Sequence, residues 1–258
     1  MGEGLASKGR KMKESIFSVE RLGKYFGGVV AIADLSFEVQ AGEALGFMGP
    51  NGAGKTTLIN VISGEFKPDT GTIRFKGKNI AGLPPHEICS LGIGRTYQIP
   101  LPFAKLTTLQ NIAVAAMYGG RLSKSEAEQE AVRIIGLVGL EDKKEKRAGD
   151  LEEISLKRLE LARVLATKPT LLLIDELAGG LTEREIPALL DLLKEIRGMG
   201  MTMILIEHVM KVMMNAVDRI IVMDEGMKIA EGKPEEVIEN RKVIEAYFGS
   251  DENEEAKE

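Results

Sequence analysis

The sequence predicts an α/β core that carries a helical insertion. Three observations lead there. Short apolar runs alternate with helix-forming stretches in the first and last thirds of the 258 residues. The middle third, about 88–166, reads as mostly helical. A glycine-rich segment, 49–56, lies between an apolar run and a helix-forming one. Mixed thirds around a helical middle argue for one interrupted domain, not two in series. We expect that domain over residues 16–249, with the helical insertion at about 88–166. Residues 1–15 are expected as a flexible N-terminus and 250–258 as a disordered acidic tail.

In chain order, strands are expected at 16–19, 35–39, 44–48, 72–75, 171–174, 202–206, 219–223 and 228–231. Helices are expected at 55–63, 108–118, 124–138, 156–166, 182–197 and 234–248. Thr182 followed by Glu185 reads as a capping box, in which hydroxyl and carboxylate each satisfy an orphan backbone N–H.

Composition narrows the function classes. Hydrophobic residues make up 44% and charged residues 28%, which excludes a largely disordered chain. Lys plus Arg number 34 against 39 acidic residues, so no global basic field recruits nucleic acid or anionic lipid. Cys89 is the single cysteine, which fits a reducing compartment and excludes an internal disulfide or zinc framework. No apolar stretch reaches about 18 residues, so no bilayer-spanning helix is expected.

Residues 49–56 read GPNGAGKT, the complete phosphate-loop pattern, with a strand before it and a helix after it. The glycines let successive backbone N–H groups converge as an anion nest. The helix N-terminus adds its positive dipole end. Lys55 supplies a point charge for β- and γ-phosphates, and the Thr56 hydroxyl a Mg²⁺ ligand. The nucleotide-binding set is therefore Gly49, Pro50, Asn51, Gly52, Ala53, Gly54, Lys55, Thr56 and the adjoining Thr57.

A second apolar run, 171–174, ends in Asp175 and Glu176. A buried parallel strand places such acids at its carboxyl edge, where open α/β sheets bind ligands. Asp175 suits Mg²⁺ coordination and Glu176 a general base acting on water. A third apolar run, 202–206, ends in Glu207-His208, which places His208 to contact a γ-phosphate. Gln98 leads into the helical part.

The order of these motifs resembles the ATP-binding cassette (ABC) superfamily. The phosphate loop, Gln98, the KRLELAR helix at 157–163, the acids at 175–176 and His208 carry the resemblance, which covers about residues 16–248. FGGVVAI at 26–32, IEHVMKVM at 206–213, DRIIVMDEGMKIAEGKPEEV at 218–237 and VIEAYFG at 243–249 look closest to the ATPases of branched-chain amino acid uptake systems. The resemblance implies a P-loop NTPase core with a mixed sheet, an antiparallel β portion and an inserted α-helical subdomain. It implies an ATP hydrolase with ATP and Mg²⁺ at its site, catalytic Glu176, His208 and Gln98, and metal-side Thr56, Gln98 and Asp175. It puts Phe26 against adenine, with Tyr25 the neighbouring alternative. The implied partners are a second cassette subunit, transmembrane permease subunits and, indirectly, a solute-binding protein. The implied place is the cytoplasmic face of the cell membrane.

The family's signature loop, Leu-Ser-Gly-Gly-Gln, should precede Lys157. Here Leu151, Glu152, Glu153, Ile154 and Ser155 stand there instead. In the family this loop binds the γ-phosphate held by the opposite subunit, so Glu152 adds a negative charge and Ile154 a Cβ at a close approach. Leu177 also replaces the usual proline after the glutamate, and Thr182 stands where Asp or Asn is usual. One half-site is intact and the other divergent, which favours a heterodimer with a consensus partner. Two alternatives remain: a cassette that binds ATP but hydrolyses it weakly in a regulatory role, or a soluble ABC ATPase outside transport.

Overall fold

The computed structural model describes residues 15–248. The expected flexible segment therefore lies outside the described residues except for Ser15, as does the expected acidic tail. Ten strands and nine α-helices are found among the described residues.

A four-stranded antiparallel sheet comprises β1 (Ser15–Phe26), β2 (Val29–Gln40), β4 (Thr70–Phe75) and β5 (Lys78–Asn79), in the order β2-β1-β4-β5. β1 and β2 form a hairpin far longer than expected. Burial continues past the apolar runs at 16–19 and 35–39 to Leu22 and Ile32, where charged and small residues interrupt the pattern, and only the tip from Tyr25 to Val30 is exposed throughout. The six-stranded sheet contains β3 (Ala44–Met48), β6 (Ile93–Arg95), β7 (Leu171–Asp175), β8 (Thr202–Ile206), β9 (Arg219–Asp224) and β10 (Met227–Gly232). Its order is β10-β9-β3-β8-β7-β6, parallel throughout except for the antiparallel β9–β10 pair.

This sheet is buried on both faces. Leu45, Phe47, Leu171, Leu173, Ile204 and Ile206 pack into one core, with Leu58 and Ile62 of α1 (Lys55–Ile62) and the inner face of the antiparallel sheet. Ala44, Met48, Leu172, Ile174, Met203 and Leu205 pack into the other, against the helices. Alternating burial to opposite sides is what period-2 strands require.

The helical insertion holds α3 (Thr108–Tyr118), α4 (Lys124–Val138) and α5 (Glu153–Ala166). α3 and α4 open with complete capping boxes, Thr107/Gln110 and Ser123/Glu126. Ile93–Arg95, inside the expected 88–166 insertion, instead joins the main sheet through parallel pairing with β7. A short helix, α2 (Pro85–Leu91), precedes it. The helix expected at 182–197 begins later, as α6 (Ile186–Gly198). Glu185 does accept from the Thr182 N–H at 2.7 Å, but Thr182 Oγ1 donates to Glu185 Oε2 at 2.6 Å and caps nothing. Pro187 then sits at the helix entrance, where its missing N–H costs nothing. α7 (Met210–Ala216) was not expected, and the stretch 234–248 divides into α8 (Pro234–Ile238) and α9 (Arg241–Phe248).

Candidate active site

Four neighbouring parallel strands, β3, β8, β7 and β6, end at the same edge of the sheet. The loops beyond them carry the phosphate loop, His208, the 175–176 acids and Gln98, so topology alone gathers residues about 160 positions apart.

The phosphate loop turns through Gly49, Gly52 and Gly54 at φ of 146°, 85° and 98°. At Gly49 a Cβ would meet the Met223 carbonyl oxygen at 2.0 Å, and at Gly54 the Ala31 carbonyl oxygen at 2.3 Å. Both positions therefore admit only glycine. Gly54 caps α1 without any side-chain bond, leaving the first amides of the helix directed into the cleft. A cleft of about 200 Å³ is lined by Val29, Val30, Ala31, Asn51 to Thr57, Glu176 and His208. Lys55 is 5% exposed and donates to the Gly49 and Pro50 carbonyls at 2.7 and 2.9 Å. Burial pulls its pKa below the ordinary lysine range, opposed by the charges of Glu176 and Asp175. An anion entering the cleft would meet an ammonium now satisfied only by neutral oxygens.

Glu176 stands in the left-handed region at φ 50°, a conformation unusual for a residue with a Cβ. Its N–H donates to the Ile206 carbonyl at 2.9 Å. Its carboxylate takes Gln98 Nε2 at 2.5 Å and lies 3.0 Å from His208 Nε2. The three expected catalytic residues thus form one cluster beside the phosphate loop. Asp175 is 4% exposed, and burial raises its pKa despite Arg95, whose guanidinium lies 3.4 Å away.

The oxygen donors fit a hard divalent cation. The Thr56 hydroxyl is exposed at the cleft, and Asp175 is a buried carboxylate whose charge lacks full compensation. No group of three or more His, Cys, Asp or Glu side chains that could cage a metal occurs among the described residues. Mg²⁺ commonly takes one or two protein ligands and completes its shell with water and phosphate, a demand that Thr56 and Asp175 would meet.

Phe26 is 43% exposed at the tip of the β1–β2 hairpin, paired with Val29. Its ring meets Phe66 edge-on at 5.2 Å and Lys24 at 5.1 Å, outside the residues that line the cleft.

The divergent loop opens α5. Glu152 is the N-cap residue but makes no side-chain cap bond, and Lys143 Nζ lies 3.6 Å from its carboxylate. Lys143 also donates to the buried Ser155 hydroxyl at 2.8 Å. Ile154 is half-buried and lines a surface cavity together with Leu177, Leu181 and Leu189.

Sequence reasoning missed several supporting residues. Thr96 Oγ1 accepts from the Asp175 N–H at 3.2 Å. Glu207 is 2% exposed and accepts from the Ala178 N–H at 2.7 Å. Burial, reinforced by the nearby Glu176 charge and opposed by that hydrogen bond, raises its pKa to about 7. Glu207 was visible next to His208, but nothing in its spacing marked it as buried.

Fold and site define a phosphate-loop ATPase of the cassette type. Residues 32–179 match the ABC transporter family, and the chain belongs to it. Residues 227–253 also match a segment described as branched-chain amino acid ATP-binding cassette transporter. The chain is 37% identical over 250 residues to a probable branched-chain amino acid transport ATP-binding protein LivG of Archaeoglobus fulgidus, covering 93% of this chain and 97% of that one. It is 36% identical to the high-affinity LivG protein of Escherichia coli K12, covering 92% and 99%. Among solved structures, a nucleotide-free cassette of an ABC transporter superposes with a TM-score of 0.83 at 31% identity, over 92% of this chain and all of that one. The ADP conformation of a cassette superposes equally well, at 0.83 and 31%, with the same coverage. The chain is an ATP-binding, ATP-hydrolysing subunit of the ABC transporter class, and no helix among its described residues is long and apolar enough to cross a membrane.

Proposed function

We propose that this subunit hydrolyses MgATP to drive uptake of branched-chain or related amino acids through separate permease subunits. Its place is then peripheral, on the cytoplasmic face of the membrane. The observation that carries the substrate class is similarity over nearly the full chain to LivG-type proteins, including the C-terminal segment 227–253.

In this reading the phosphate-loop amides and Lys55 hold the triphosphate. Thr56 and Asp175 would hold Mg²⁺, which would supply positive charge to offset the charge that develops in phosphoryl transfer. Glu176 accepts the proton of the attacking water, and His208 and Gln98 fix the carboxylate at 3.0 and 2.5 Å while facing the γ-phosphate. The second cassette supplies the signature that this chain lacks, so the working pair is a heterodimer with one complete composite site. The regulatory reading, an ATP-binding half with little turnover, draws on the same divergence at Glu152 and Ile154.

The deciding experiment reconstitutes the subunit with its co-purifying partners in vesicles. ATP hydrolysis should rise when a solute-binding protein loaded with leucine, isoleucine or valine is added. Turnover that ignores every amino acid would overturn the substrate class. Unchanged turnover on inactivating this chain's Glu176 alone would favour the regulatory reading.

A further inference from the structure

Gly49, which opens the phosphate loop, is held from two sides. Its carbonyl accepts from Lys55 Nζ at 2.7 Å. Its N–H lies one residue past the last β3–β9 pair, Met48 with Val222, and has no strand partner. That N–H donates instead to the hydroxyl of Tyr247 at 2.8 Å, 198 positions away in α9. α9 packs on β10 and α8, with Val243 buried in the core and Tyr247 39% exposed.

We infer that Tyr247 is a positioning residue for nucleotide binding, through which the C-terminal helix holds the phosphate loop in its binding-competent shape. The Lys55 ammonium has three N–H donors, two of them on the Gly49 and Pro50 carbonyls, and in this proposal an entering phosphate draws it off the Gly49 carbonyl. Gly49 then loses one of its two restraints. The Tyr247 bond is the one that remains, and it keeps the first turn of the nest in place. Gly49 has no room to shift toward β9, because the Met223 carbonyl already lies against its Cα. Release of α9 therefore frees the loop in the opposite direction, away from that wall. Thermodynamic reciprocity follows: a nucleotide that needs the fixed loop must also tighten α9.

This inference rests on nucleotide binding by residues 49–56, and wild-type binding of MgADP is the control that separates the two. In the full-length chain, Tyr247→Phe keeps the ring and removes only the hydroxyl. MgADP should bind about three- to tenfold more weakly, the range for one neutral hydrogen bond. KM for ATP should rise by a similar factor in the assembled complex while kcat holds. Amide exchange of residues 241–247 should slow when MgADP is added to wild type and respond less in the variant. A purely structural tyrosine would lower the melting temperature and leave KM and the exchange response alone. Wild-type affinity in Tyr247→Phe overturns the inference. So does exchange in α9 that ignores MgADP in the wild-type chain, a measurement that stands even where the variant folds poorly.

Discussion

His208 Nε2 lies 3.0 Å from Glu176 Oε1, and Gln98 Nε2 holds the other oxygen of the same carboxylate at 2.5 Å. Side chains from two other strand ends thus converge on the Glu176 carboxylate. The carboxylate is oriented before any substrate arrives, and in the proposed role of Glu176 that removes a reorganisation cost from the hydrolytic step.

Under the role proposed for Glu176, Glu176→Gln keeps the shape of that cluster and removes the proton acceptor. Hydrolysis should fall by about 10²–10⁴-fold while MgATP still binds. Single-turnover kinetics on the partnered complex measures this. Wild-type turnover in the variant would move the base elsewhere, with His208 the first candidate.

Lys55→Ala should remove tight MgATP binding. The native ammonium is buried among carbonyls and already resists its charge, so it gains a phosphate partner strongly. Titration calorimetry with MgATP checks the loss. Unchanged affinity would mean that the backbone nest alone carries the phosphates.

The phosphate loop, the acids and His208 were legible because each follows a continuous apolar strand, and such strands align their ends in a parallel sheet. The hydrogen-bonding partners were not. Thr96 and Glu207 act through burial and backbone contacts, and neither leaves a periodic trace. The strand Ile93–Arg95 is three residues long and its partners are distant, so no local pattern distinguished it from the helical insertion. The 182–197 helix was misplaced at its start because Thr182 and Glu185 do bond, but in a turn that ends before α6 begins.

Glu207 gives a pH signature. Its folded-state pKa is about 7 against a reference of 4.5, so between those values the native chain keeps a proton that the unfolded chain has released. Stability from this group is therefore full below about pH 4.5, falls as pH rises toward 7 and is level above it. The difference amounts to about 3 kcal/mol. Glu207→Gln still offers an oxygen to the Ala178 N–H but cannot titrate. Urea midpoints should fall more steeply between pH 5 and 7.5 for wild type than for the variant. Parallel pH profiles would show that Glu207 is ionised in the native state.

Membrane coupling has a candidate surface in the segment after Gln98. Ile99, Leu101 and Phe103 are 72%, 72% and 52% exposed, yet the backbone at Leu101 and Phe103 is pinned. Arg163 of α5 donates to the Leu101 carbonyl at 3.0 Å and lies over the Phe103 ring at 5.5 Å, and Asn111 of α3 bonds the Phe103 N–H at 2.8 Å. An ordered apolar strip on the surface suits a protein partner. Phe103→Asp should abolish co-purification with the permease while isolated MgATP binding persists. Co-purification that survives would place the docking surface elsewhere.

In the proposed heterodimer, the divergent loop is what disfavours self-association. Glu152 is 71% exposed, so Lys143 at 3.6 Å offsets its charge only in part. Ile154 adds bulk but no charge, which leaves Glu152 as the stronger obstacle to a γ-phosphate from another cassette. A like-charge contact in a partly desolvated interface costs several kcal/mol. That is enough to decide whether a dimer forms at micromolar protein. Alone, the chain should bind MgATP but self-associate poorly and hydrolyse slowly. Glu152→Ser with Ile154→Gly, made in the Glu176→Gln background, leaves the Lys143–Ser155 bond intact and should strengthen ATP-dependent self-association. Adding Ser155→Gln completes the signature and releases Lys143, which tests whether that bond matters to the loop. Light scattering with and without ATP reads the outcome. Tight ATP-driven homodimers of the Glu176→Gln chain with its native loop would show that Glu152 is tolerated at the composite site, and the case for an unlike partner would fall.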